Sequence, residues 1–75
     1  MKIELTNASQ LAEIVRQERK RQKVSQTRLA QLADVGVRFV RDLEGGKETV
    51  QLNKVLNVLE TLGIAIELSS MGDNE

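Results

Sequence analysis

The sequence predicts a mainly α domain of four to five short helices followed by one short C-terminal β-strand, and three observations carry that prediction. The stretch Val24 to Lys47, VSQTRLAQLADVGVRFVRDLEGGK, has the pattern of two short helices joined by a tight turn. Gln51 to Leu62 carries a dense apolar stripe that stops at Gly63. Ile64, Ala65, Ile66, Glu67 and Leu68 then alternate with period two in β-forming residues. Residues 1–68 form one domain on this reading, and the polar residues 69–75 form a flexible tail.

Taken in order, Ile3 and Leu5 alternate with Lys2 and Glu4, as in a short strand. Thr6 or Asn7 supplies the cap of a first helix, whose apolar stripe is Leu11, Ile14 and Val15 and whose end, Arg16 to Lys23, is strongly charged. Ser25 is a good N-cap for a second helix, Gln26 to Ala33. That helix places Leu29, Leu32 and Ala33 on one face and small Ala30 where a partner can approach closely. Asp34-Val35-Gly36 is the turn. A third helix, Val37 to Glu44, turns Val40 and Leu43 inward and leaves Arg38 and Arg41 on the other side, until Gly45-Gly46 stops it. In the fourth, Leu52, Val55, Leu56, Leu59 and Leu62 fill one face and Val58 widens it, with Gly63 as C-cap. The strand after it must pair with residues 3–5 or with its copy in a second subunit, because a lone strand leaves its backbone groups unsatisfied.

Composition narrows the function classes. Seventy-five residues allow one small core, near the lower limit for folding without disulfides or metal. With neither cysteine nor histidine there is no disulfide framework, no thiolate or imidazole metal site and no Ser-His or Cys-His nucleophile, so neither catalysis nor a cofactor is expected. No apolar run approaches the ~20 residues that span a bilayer, and the N-terminus lacks a signal-peptide core, so a cytoplasmic protein without membrane contact is expected. Net charge is zero, yet it is polarised. Ile14 to Lys47 holds nine basic and four acidic residues, a local charge of +5, and the remainder carries −5. Such a molecule can turn one basic face to phosphate.

In a helix-turn-helix the second helix enters the DNA major groove, and its N-terminal outward positions here are Val37, Arg38 and Arg41. An arginine can hold guanine O6 and N7 in a bidentate contact, and a valine can meet a thymine methyl. The plainer alternative for Arg38 and Arg41 is a solvated helix face. Backbone contacts are expected from Gln26 and Thr27, at a helix N-terminus whose dipole favours phosphate, with Arg28 beside them and Lys47 in the following loop. Ser25 as a cap, with Gln26 and Lys47 simply exposed, is the alternative there. Phe39, the single aromatic, is read as core, and Asp42 as a surface salt-bridge partner.

The stretch resembles the lambda-repressor/Cro class of DNA-binding domains, the XRE family, in which a Ser-Gln step opens the first motif helix and Glu-x-Gly-Lys closes the second. The matching residues are Ser25-Gln26 and Glu44-Gly45-Gly46-Lys47, with further likeness at Ile14-Val15-Arg16, Arg19-Lys20, Thr49-Val50, Leu52 to Leu56 and Leu62-Gly63. The chain departs from that class at Asp34, where Gly is usual, and at Gly36, where a Ser or Thr cap is usual. Asp tolerates a left-handed backbone better than most residues, and Gly is an acceptable cap. The resemblance implies an ion pair between Arg19 and Glu44 that fixes the recognition helix while keeping Arg19 near a phosphate. The ending Leu-Gly before an apolar strand resembles HipB-type antitoxins. It implies a homodimer through Leu59, Ile64, Ile66 and Leu68, binding to double-stranded operator DNA, and a HipA-like serine/threonine kinase toxin as partner. A stand-alone or phage-type repressor, or an interaction module that no longer binds DNA, are the competing readings.

Overall fold

The computed structural model describes residues 3–70 and contains four helices: α1 (Ala8–Arg21), α2 (Gln26–Ala33), α3 (Val37–Glu44) and α4 (Leu52–Leu62). Local chemistry starts each of them. Asn7 caps α1 by accepting from the Gln10 N–H at 2.8 Å, and the Gln10 side chain accepts from the Thr6 N–H at 2.7 Å, closing a reciprocal box. Ser25 Oγ accepts from the Arg28 N–H at 3.0 Å at the head of α2. Gly36 and Gln51 precede α3 and α4 in extended backbone without any side-chain cap bond.

All four helices stop in the same way. A residue at positive φ follows each one, Lys23 (60°), Asp34 (59°), Gly46 (84°) and Gly63 (77°). The next N–H then reaches back over the last turn: Val24 to the Arg19 carbonyl, Val35 to Ala30, Lys47 to Asp42 and Ile64 to Leu59, at 3.1, 3.0, 3.0 and 2.9 Å. Glycine adopts this conformation freely at positions 46 and 63. Asp34 uses the tolerance expected of it at the motif turn, and Lys23 does so against its steric preference.

The helices close around Val15, Leu29, Val40 and Val58, one from each helix and each fully buried. α3 packs on α1 and α2, and α4 packs beneath α2 and α1, so the motif pair rests on a two-helix base. In α4 the buried set is Val55, Val58, Leu59 and Leu62, an i, i+3, i+4, i+7 stripe. Leu52 and Leu56, expected in that stripe, fall outside its arc and are 68 % and 44 % exposed. In α2 the buried arc runs through Leu29, Ala30 and Ala33, which leaves Leu32 52 % exposed although it was expected inside.

Two expectations of the sequence are corrected. The C-terminal strand is absent: residues 64–70 carry no regular structure, and no strand occurs among the described residues. A strand exists only by pairing, and residues 3–5, the one in-chain partner envisaged, do not pair with it. Ile64 packs on the core, while Ile66 and Leu68 stand 51 % and 93 % exposed. Leu59, expected at a dimer interface, is 3 % exposed and belongs to the core, because it shares the inward stripe of α4 with Val55 and Leu62. Lys2 of the expected N-terminal strand and residues 71–75 of the expected tail lie outside the described residues. No helix among the described residues is long and apolar enough to cross a membrane.

Candidate nucleic-acid interface

The motif turn sets α3 across α2, with one face of α3 sealed. Val40 and Leu43 are buried on it, and Val37 is half-buried against the core. Helical spacing then carries Arg38 to the opposite side, where it is exposed, and Arg41 to a flank, also exposed. Neither arginine side chain is paired with another described residue. Both guanidiniums keep their full fork of donors for a ligand. Asp42 lies beside them and accepts Lys47, whose Nζ is 3.6 Å from Asp42 Oδ2. An exposed pair of this kind contributes little, and a phosphate can draw Lys47 away from it. Phe39 is half-buried on the core, and Lys54 Nζ sits 5.9 Å from its ring centre.

At the start of α2 the Ser25 cap satisfies the Arg28 N–H, and the Leu29 N–H is taken by the Ser25 carbonyl at 2.9 Å. Among the described residues the N–H groups of Gln26 and Thr27 have no such acceptor, and they lie at the end of a helix dipole that favours an anion. Thr27 and Arg28 are exposed, and Arg28 Nη1 is 3.4 Å from Gln31 Oε1. Gln26 differs from the role expected of it. Its side chain is half-buried, and Nε2 donates to Glu44 Oε1 at 3.1 Å.

That bond joins a network centred on Glu44, whose side chain is only 4 % exposed. Arg19 Nε and Nη2 donate to Glu44 Oε2 and Oε1 at 2.5 and 3.0 Å, a two-pronged contact, and Arg19 Nη1 donates to the Val24 carbonyl at 2.8 Å. The Glu44 carboxylate beside Arg19 raises the guanidinium pKa further. With every prong of Arg19 engaged inward and its side chain 11 % exposed, it stabilises the frame and offers little to a phosphate. Arg16 also reaches this residue, through Nη1 to the Glu44 carbonyl at 2.8 Å. In the sequence, Arg16 reads as part of a solvated basic cluster. Its position three residues before Arg19, on the same side of α1, is the signal that places it against α3.

No family model matches the chain. Across 60 residues it is 50 % identical to the HTH-type transcriptional regulator y4mF of Sinorhizobium fredii, spanning 80 % of this chain and 79 % of that protein. The chain belongs to the HTH-type transcriptional regulators. Among solved structures, a chain of the HipA-HipB-O2-O3 complex superposes with a TM-score of 0.84 at 17 % identity, covering 95 % of this chain and 100 % of that one. A chain of the HipB-O4 20mer complex does so with a TM-score of 0.83 at 17 % identity and the same coverage. At that identity the match speaks for the fold. This HTH-type regulator is therefore built on a HipB-like frame of helices, in which α2 and α3 are the motif pair.

Proposed function

We propose that this regulator is a homodimeric repressor that reads an operator upstream of its own gene through α3 and, as the antitoxin of a toxin-antitoxin pair, holds a HipA-like serine/threonine kinase toxin. The observation that carries the DNA-reading part is the pair Arg38 and Arg41. Both are exposed and have no partner among the described residues, on a helix whose other face is sealed and whose far end is tied to α1 and α2. In this reading Arg38 contacts a guanine edge, Arg41 and Val37 flank it, and Thr27, Arg28, Lys47 and the free N–H groups of α2 hold phosphates.

The dimer is supported by the apolar side chains left outside the monomer, Ile66 and Leu68, and by the symmetry of helix-turn-helix recognition, in which two units meet half-sites one helical turn apart. The toxin partner rests on the likeness of the fold to the chain in the HipA-HipB-O2-O3 complex.

A salt-dependent titration against DNA from upstream of the gene, with a scrambled duplex as control, tests the reading. Preferential binding with a steep salt slope is expected. Lys47→Ala should make that slope shallower by about one unit. No binding to either duplex by folded protein would instead favour an interaction module. Ile66→Asp should leave the helices intact by circular dichroism and give a monomer in analytical ultracentrifugation, and a dimeric variant would remove that segment from the interface.

A further inference from the structure

The last four carbonyls of α3 need partners from outside the helix. Three find them in the backbone that follows: Arg41 accepts from Gly45 at 2.9 Å, Asp42 from Lys47 at 3.0 Å and Leu43 from Gly46 at 3.2 Å. The fourth, Glu44, accepts from Arg16 Nη1 at 2.8 Å, so the final cap of the recognition helix comes from a side chain of α1. Arg16 Nη2 is held in turn by Glu13 Oε1, one helical turn earlier, and Glu13 Oε2 takes Gln17 Nε2 at 2.6 Å. A row of side chains on α1 thus aims one guanidinium at the negative end of the α3 dipole.

We infer that Arg16 is a positioning residue for base reading. Arg19 grips the Glu44 carboxylate, which sits at the end of a rotatable side chain, whereas Arg16 grips the Glu44 backbone. The second contact acts on the backbone directly, and so restrains how far the end of α3 slides and rolls against α1 beyond what core packing and the Arg19 pair impose. Arg38 lies less than two turns away on the same short helix, so a roll at the Glu44 end swings its guanidinium off a base edge. A bidentate contact tolerates little misalignment. This inference rests on the proposed DNA reading.

The competing role for Arg16 is direct contact with phosphate, and the two roles differ in what salt does. Loss of a phosphate contact weakens binding to every duplex and makes the salt slope shallower by about one unit, whereas loss of positioning lowers discrimination and leaves the slope unchanged. The test is titration of the unmutated chain, Arg16→Ala, Arg16→Lys and the charge-loss control Lys20→Ala on the upstream and scrambled duplexes across a salt series. Foldedness is followed by circular dichroism.

Arg16→Ala should reduce the ratio of upstream to scrambled affinity about tenfold, in line with loss of a charge-assisted bond. The slope should stay at the unmutated value. Arg16→Lys should recover part of the ratio, because an ammonium can reach the carbonyl without also bridging to Glu13. Should Arg16→Ala not fold, Glu13→Gln, which loosens the guanidinium without removing it, is expected to lower the same ratio by a smaller factor. An unchanged ratio in a folded variant, or equal loss on both duplexes with a shallower slope, overturns the positioning role. An unmutated chain that fails to discriminate overturns the DNA reading itself and this inference with it.

Discussion

The two ends of α3 are built on opposite principles. At its C-terminus a nearly buried carboxylate is held by Arg19 and Gln26 while its carbonyl is held by Arg16, so that one residue gathers contacts from α1 and α2. At its N-terminus Gly36 provides no side-chain cap bond, and Arg38 projects from the first turn without a partner among the described residues. The difference separates two tasks within an eight-residue helix. One end spends its polar groups on fixing the orientation of the helix, which leaves the other end free to spend its own on a ligand. A preorganised donor loses less freedom on binding, which is why a fixed helix carrying a free arginine makes a better reader than a mobile one.

Breaking the anchored end should have the largest effect. Glu44→Ala leaves Arg19 charged and without its partner at a site 11 % exposed, and removing one member of a buried pair typically costs about 3–5 kcal/mol. For a domain of this size that is a large part of the total stability, so urea unfolding should show a much lower midpoint or no folded baseline. An unchanged midpoint would mean that the network contributes nothing to the frame. Strengthening the free end should have a far smaller effect. Gly36 has ordinary φ of −74° and open space around a new Cβ. Gly36→Ser should therefore stabilise by only a few tenths of a kcal/mol through the cap. The new hydroxyl should also add a phosphate contact that tightens binding to both duplexes alike.

The smallest effect lies outside both ends. Glu18, held by Arg21 and then by Gln22, has its pKa lowered to about 2. A depressed carboxyl contributes stability that is complete above its unfolded value and is lost as pH falls through the folded one. The loss is therefore confined to acid, from the ordinary carboxylate range down to about 2. Glu18→Gln should remove this contribution, lowering stability slightly at neutral pH and flattening that part of the acid unfolding curve, and an acid slope identical to that of the unmutated chain would contradict this assignment.

Much of this contrast was legible in the sequence, and the rest was hidden for physical reasons. The caps at Ser25 and Gly36, the left-handed turn at Asp34 and the stop at Gly63 follow from local chemistry, which acts over a few residues. The outward placement of Arg38 follows from helical period alone. By contrast, apolar periodicity does not say which arc of a stripe meets the core, so Leu32, Leu52 and Leu56 were read as inward. Leu59 belongs both to the α4 stripe and to the dimer interface implied by the resemblance, and the assembled core decides for the stripe. Lysine carries no signal for a left-handed backbone, and Lys23 adopts one because the α1 end needs the reach-back bond from Val24. The bonds from Arg16 and Gln26 to Glu44 join residues 28 and 18 positions apart, and beyond the three-residue spacing of Arg16 and Arg19 no local pattern encodes them. Period-two alternation in residues 64–68 describes an ability to pair, and no strand ladder forms with them among the described residues.

Base reading by the free end of α3 is decided by titrating Arg38→Ala beside the unmutated chain on upstream and scrambled duplexes. Binding to the upstream duplex alone should weaken by roughly 1–3 kcal/mol, with the scrambled duplex and the folded spectrum unchanged. Equal loss on both duplexes would show that Arg38 acts on phosphate, and the free end of α3 would then have no part in reading sequence.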